Sequence, residues 1–270
     1  MRRILLFVAL AAISQTLVFC QKQTVVEIET VYGNMEFILY DDTPQHRDNF
    51  IKLADEGFYD GSLFHRVINE FMIQGGDPNS KGASSDAFLG DGGPGYQLEA
   101  EIIYPKYFHK KGALSAARQG DQVNPLKKSS GSQFYIVQGK VFTVEELDQM
   151  ELMSSERKRQ QIMMKYANPY RNELIGMQQA NDREGFEALM AEIMKMAAPE
   201  IDSLKPMLIP EEQRAVYSTL GGVPHLDGDY TVFGELISGM DVLDKIAGAE
   251  TNEMDRPLDD VVIKVKVKKK

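Results

Sequence analysis

The chain reads as mainly β, a closed antiparallel sheet interrupted by an α-helical insertion. Three observations predict this. Short alternating apolar runs, punctuated by Gly, Asp, Ser and Pro, occupy residues 25–140 and resume after 218. Few helical patterns accompany them. Between the two halves, from about 141 to 217, glycine becomes scarce and apolar residues recur at helical spacing. Many short strands with turn chemistry and few helices suggest an antiparallel sheet that closes on itself.

Taken in order, residues 25–40 (VVEIETVYGNMEFILY) alternate on both sides of Gly33-Asn34, the pattern of two strands joined by a tight turn. In TPQHRDNFIKLADEGFY, Thr43 stands as N-cap with Pro44 at the first helical position. Phe50, Leu53 and Ala54 give this helix an apolar stripe, and Gly57 ends it. Strand-like runs follow at 63–68, 71–75, 97–103, 112–117 and 132–138. Thr143 to Glu146 (TVEE) matches a capping box and opens a helix to about Tyr166. Asn168-Pro169 starts a second helix, Asp182 a third ending near Ala198, and Pro210 a fourth stopped by Gly221-Gly222. Strand pattern returns at 230–237, then a short helix at 240–247 and a last strand at 261–267.

Composition narrows the function classes. Hydrophobic content of 43% and charged content of 26% over 270 residues suit a soluble globular protein. A net charge of -10 argues against nucleic acid as a partner, because no basic patch offsets the acidity. The C-terminal KVKVKKK is short and reads as a solvated strand edge whose lysines discourage sheet-to-sheet pairing. At the other end, MRRILLFVALAAISQTLVFC has two arginines, an apolar run broken by SQT, and a polar shift at Gln21. That is the layout of a secretory signal over 1–20, not of a spanning helix. Val18 and Cys20 suit cleavage before Gln21, whereas a rival reading makes Cys20 a lipidated N-terminus despite the bulky Phe19 before it. Both readings send the protein to an exported, periplasmic or cell-envelope location, with membrane attachment only through a lipidated Cys20. Cys20 is also the only cysteine, so no intramolecular disulfide can form.

His46, His65, His109 and His225 show no paired metal-ligand spacing, and the P-loop, dinucleotide-binding and nucleophile-elbow signatures are absent. No metal or cofactor is therefore expected, and no covalent chemistry. The stretch FHRVINEFMIQGGDP (64–78) instead sets Arg66 and Gln74 among apolar residues, where a polar group is costly unless paired. A substrate can supply the pairing, or Arg66 can pair with Glu70 or Asp77 across a turn.

FHRVINEFMIQGGDP, GALSAAR, GSQFYIVQG and LDGDYTVFGELISGMDVLDKI resemble, in order, the signature blocks of cyclophilin-type peptidyl-prolyl isomerases, over about 25–140 and 218–267. The resemblance implies a closed eight-stranded antiparallel barrel with two capping helices. It makes the barrel domain discontinuous, 21–140 and 218–270, around an insertion at 141–217. It also implies an enzyme that turns X-Pro bonds, with Arg66 as the catalytic arginine and Gln74 anchoring peptide backbone. Phe71, Met72, Tyr135 and Leu226 are the implied proline pocket, and the backbone of Ala117 is implied to face the peptide. His225 stands on the groove rim where many members carry a tryptophan, and Tyr230 where a histidine is common. Without any tryptophan, strong cyclosporin binding is not expected. Arg118 replaces an asparagine of many eukaryotic members, and LSAAR is closer to bacterial ones. The implied partners are proline-containing polypeptides and unfolded exported proteins, with no nucleic acid and no metal.

Other readings stay open at this stage. The same fold can serve as a peptide-binding chaperone or scaffold with little turnover. The apolar site residues can be ordinary core. Nine of the fourteen methionines fall in the insertion, which suits either plain gap-filling or an extended substrate platform.

Overall fold

A computed structural model describes residues 23–204 and 208–268. The predicted signal segment and Cys20 lie outside them. The strands are β1 (Val25–Thr30), β2 (Gly33–Leu39), β3 (Arg66–Ile68), β4 (Met72–Gly75), β5 (Gln97–Leu98), β6 (Ala113–Ala116), β7 (Ser129–Ser130), β8 (Phe134–Val137), β9 (Val232–Ser238) and β10 (Lys264–Lys268). Eight of them form one sheet in the order β10-β1-β2-β9-β6-β8-β4-β3, every pair antiparallel. The strand number matches the expectation; closure does not. The sheet is a curled half-barrel whose edge strands, β10 and β3, do not pair with each other. Among the described residues, an isolated bridge, Leu63 with Val262, and a few backbone bonds such as Phe64 N–H to Val261 O (2.9 Å) cross the seam. The reason is local. β3 is three residues long, and its Val67 N–H donates to Asp255 O at 2.7 Å, so a loop covers that edge.

The concave face is the core. Val26, Ile28, Met35, Phe37, Ile73, Leu114, Ile136 and Ile263 are fully buried there. Helix α1 (Pro44–Asp55) lays Phe50, Leu53 and Ala54 on it, and Phe50 meets Phe134 edge-on at 5.4 Å between ring centres. Each such side chain contributes about 1.5–3 kcal/mol by leaving water.

Three local expectations need correction. The first hairpin turns at Val31-Tyr32, because Thr30 pairs with Gly33, which opens β2 at φ +128. Thr43 is at the N-cap, but its hydroxyl donates to Tyr40 O; the α1 amides of Gln45 and His46 donate instead to the Glu101 carboxylate, at 3.1 and 3.0 Å. The run 97–103 is a strand only at Gln97–Leu98, paired with β7 outside the main sheet, because Glu101 is diverted to cap α1.

The insertion comprises α2 (Val144–Ala167), α3 (Arg171–Gln179), α4 (Arg183–Asp202) and α5 (Glu211–Tyr217). The capping box is formed: Glu146 N–H donates to Thr143 Oγ1 at 3.2 Å, and Thr143 N–H to Glu146 Oε2 at 2.9 Å. Helix α4 passes Ala198 and carries Pro199 inside its last turns, where proline removes one donor from the ladder and its ring crowds the carbonyl one turn back. Chain direction returns to the half-barrel through α5, and a last helix, α6 (Met240–Ala247), buries Val242, Leu243, Ile246 and Ala247 on the core. Leu147, Ile209 and Tyr217, with Phe108, Phe142 and Met150 against them, form the junction between insertion and half-barrel.

Candidate active site

Strand register puts the predicted polar residues in one row. Arg66 pairs directly with Gln74, Gln74 with Tyr135, and Tyr135 with Ser115. Directly paired side chains share a face of the sheet. Here it is the convex face, since the next row, Val67, Ile73, Ile136 and Leu114, belongs to the core. Met72, two residues before Gln74, shares the face. The apolar tone of FHRVINEFMIQGG thus has a simple origin: alternate residues fill the core and the others build the surface above it.

Over this row lies a cavity of about 100 Å³, lined by Arg66, Phe71, Met72, Gln74, Ala117, Arg118, Tyr135, Leu226 and Tyr230. Eight of the nine predicted site residues are in it. The ninth, His225, is exposed on the rim and stacks on Phe71 at 5.7 Å between ring centres. Two larger hollows of about 460 Å³ each adjoin at Gln74 and Arg118, so the cavity is part of a longer groove.

Arg66 keeps 42% of its side chain exposed, with Nε 3.5 Å from Asp255 Oδ2 and Nη1 3.5 Å from Gln74 Oε1. Both contacts are long, so the guanidinium is oriented without being locked. Its carboxylate partner is Asp255, not Glu70 or Asp77. The Asp77 side chain is turned to the amides of Asn79 (2.8 Å) and Gly90 (2.5 Å), and Glu70 sits at φ +59 in the β3–β4 turn. Gln74 is oriented in turn. Gln133 donates to the carbonyls of Gly90 and Gly92, at 2.9 and 2.7 Å, and its oxygen accepts from Gln74 Nε2 at 2.9 Å. That leaves the Gln74 oxygen toward Arg66.

The apolar wall is equally fixed. Tyr135 O–H donates to His109 Nε2 at 2.9 Å, and His109 Nδ1–H to Asp227 Oδ1 at 2.9 Å. Asp227 also accepts from His109 N–H (2.8 Å) and from Tyr217 O–H (2.6 Å). A carboxylate only accepts, which puts a His109 proton on Nδ1 and leaves the Nε2 of a neutral imidazole as acceptor for the Tyr135 hydroxyl. Burial pushes the Tyr135 phenol well above its ordinary range. Tyr230 stands edge-on to Tyr135 at 5.9 Å, under the Arg118 guanidinium at 4.4 Å. Arg118 is itself held by Asp229 O (2.8 Å) and Asp121 (2.7 Å). Ala117 N–H donates to Gln133 O, and its carbonyl accepts from Ser130 N–H. One carbonyl lone pair remains on that residue.

Asp255, Gln133, His109, Asp227 and Tyr217 were not among the residues expected from sequence. His109, Tyr217 and Asp255 reach the site from other segments, whereas Gln133 and Asp227 neighbour the expected Tyr135 and Leu226, and Gln133, a carboxamide in the apolar run GSQFYI, carries a local sign of a polar duty. Among the described residues no group of three or more His, Cys, Asp or Glu side chains is disposed to hold a metal.

The family model of cyclophilin type peptidyl-prolyl cis-trans isomerases matches residues 25–156 and 215–267. A Staphylococcus haemolyticus protein named "Putative peptidyl-prolyl cis-trans isomerase" is 32% identical over 240 residues, 88% of this chain and 87% of that one. A longer Streptococcus pyogenes protein, named as a bifunctional phosphatase/peptidyl-prolyl cis-trans isomerase with the same qualifier, is 33% identical; the alignment takes in 88% of this chain but 37% of that one. A Cryptosporidium parvum cyclophilin type peptidyl-prolyl cis-trans isomerase superposes with TM-score 0.54 at 22% identity, covering 92% of this chain and 99% of its own, a likeness of fold. A second structure of the Cryptosporidium protein was determined in the presence of the dipeptide Ala-Pro.

Proposed function

This chain belongs to the cyclophilin-type peptidyl-prolyl cis-trans isomerases, and on that premise we propose that Arg66 drives its turnover of X-Pro bonds, in exported polypeptides as they fold, without a covalent intermediate. The observation that carries the reading is the seat of Arg66: a guanidinium at the mouth of an apolar cavity, with two partners at 3.5 Å and neither close.

Amide resonance resists rotation by ~18–20 kcal/mol, so uncatalysed exchange takes on the order of tens to hundreds of seconds. Twisting the bond pyramidalises the proline nitrogen and frees its lone pair. A guanidinium aimed at that lone pair meets an acceptor in the transition state that the planar amide lacks. One charge-assisted hydrogen bond contributes about 1.5–3 kcal/mol, roughly tenfold to a hundredfold in rate. Phe71, Met72, Tyr135 and Leu226 hold the ring while the preceding carbonyl turns, and their apolar surface excludes the water that favours the planar amide. Gln74 supports this from both sides, offering its remaining N–H to peptide backbone and its oxygen to Arg66.

The export reading rests on the secretory layout of residues 1–20, and a mass measurement on the mature N-terminus distinguishes cleavage before Gln21 from lipidation of Cys20. The catalytic reading is tested with wild type and Arg66→Ala on a proline tetrapeptide and in an aggregation-suppression assay. Most of the turnover is expected to disappear in the variant. Equal protection against aggregation with no turnover in either protein identifies a binding module instead.

A further inference from the structure

The four-residue chain behind the pocket begins outside it. Tyr217 is the last residue of α5, and it is seated among residues from both ends of the insertion. Leu147 of α2 and Ile209 pack with it, and Phe108 meets its ring edge-on at 5.5 Å. Gly222 permits the approach, since a Cβ there would stand 2.6 Å from Tyr217 Cε1. From this seat the hydroxyl donates to Asp227 at 2.6 Å, and the bonds continue through His109 to the Tyr135 hydroxyl. The phenol of Tyr135 spends its donor inward, so only its ring faces the cavity. His109 lies parallel to that ring, 9° between planes, on the other side of the hydrogen bond.

We infer that Tyr217 is a positioning residue for the pocket, acting through Asp227 and His109 on the ring of Tyr135, so that the insertion sets the shape of the proline site. The inference rests on reading the cavity as that site. All four members are buried, Tyr217 and His109 completely. A buried carboxylate that loses a donor must recover one from its neighbours. The nearest relief for Asp227 is a shift of the His109 imidazole, and the Tyr135 hydroxyl follows that imidazole. The wall that moves is the one the proline ring packs against. Its loss weakens ground and transition states alike, which raises KM and spares kcat.

Tyr217→Phe in the full chain removes one oxygen and nothing else. With a proline tetrapeptide, KM is expected to rise about tenfold while kcat changes less than about twofold, a size that a sub-ångström to ångström displacement of a packed wall can produce. In a Tyr135→Phe background, where the chain is already cut, the same substitution adds less than about twofold. An unchanged KM in Tyr217→Phe, or an equal rise in both backgrounds, overturns the inference. Leu147→Ala loosens the seat of Tyr217 without touching a hydroxyl, so it should lower Tm and raise KM, and the rise in KM should vanish in a Tyr217→Phe background; an equal rise in both backgrounds also overturns the inference. If Tyr217→Phe does not fold, the wild type supplies the test. Titration with an Ala-Pro peptide, followed by NMR, should shift the Tyr217 ring resonances along with those of Tyr135, and a silent Tyr217 contradicts the coupling. The same titration separates this inference from the isomerase reading. Affinity shifts without turnover in any protein, wild type included, keep the coupling and sink the enzyme; intact turnover with no shift does the reverse.

Discussion

The half-barrel and the insertion are held by different means. In the half-barrel, eight paired strands and two helices bury a continuous core, and the site residues ride on the opposite face of the same strands. In the insertion, few side chains are buried beyond the junction, Ile162, Ile193 and Ala197 among them, while Leu152, Met153, Met164, Met194 and Met196 remain exposed. A register-locked sheet places a guanidinium, a carboxamide and an aromatic ring in one row without further help. The helices of the insertion reach that row from Tyr217, by way of Asp227 and His109.

The largest effect is expected in the core. Phe134→Ala should cost about 3–5 kcal/mol in urea unfolding, whereas Ile193→Ala, with fewer neighbours to lose, should cost about 2 kcal/mol, at the bottom of the range for such truncations. Equal costs would break the contrast. Next comes Gln74→Ala, which withdraws the oxygen facing Arg66 and the link to Gln133; kcat/KM is expected to fall about tenfold, the worth of one hydrogen bond to a charged group. Met153→Glu with Met164→Glu, on the exposed insertion surface, should leave tetrapeptide turnover within about twofold, as surface changes usually do. A large loss there would make the insertion part of the site for short peptides.

Asp255→Asn is a finer probe, because the carboxylate stands 3.5 Å from a half-exposed guanidinium and is screened by water. About a threefold change in kcat/KM is expected, in keeping with the small worth of exposed ion pairs. The smallest effect is with pH. Burial holds His46 and His65 below the ordinary histidine range, for His46 against the pull of Glu101, and none of the four histidines lies in the insertion. A histidine kept neutral by the fold binds its proton more readily once unfolded. Its contribution is therefore complete above about pH 6.5 and is lost as pH falls toward the folded value. The urea midpoint should decline from pH 7.5 to 5.5. Carboxylates held low, such as Glu27, enter only in more acid solution. A flat or rising profile contradicts this.

Much of this was legible in the sequence. Alternation and turn residues marked most strands, TVEE marked the start of α2, and four motif blocks carried eight of the nine site residues, the same eight that share one cavity, with His225 just before the last block. What escaped was long-range. Closure fails because β3 is short and a loop takes its edge, which no strand pattern encodes. The cap of α1 comes from Glu101, so Thr43 looked sufficient and is not used. The carboxylate beside Arg66 comes from residue 255, near the far end of the chain, where a local reading offered only Glu70 and Asp77.

The central claim is that the Arg66 guanidinium recognises the twisted bond and not the bound peptide. Exchange NMR on an Ala-Pro peptide measures both quantities in one sample: affinity from the titration, and cis–trans exchange on the protein from cross-peaks. For Arg66→Ala the expectation is affinity within about threefold of wild type and catalysed exchange slowed by about tenfold to a hundredfold. Exchange at the wild-type rate, or a loss of exchange fully explained by lost affinity, would contradict it.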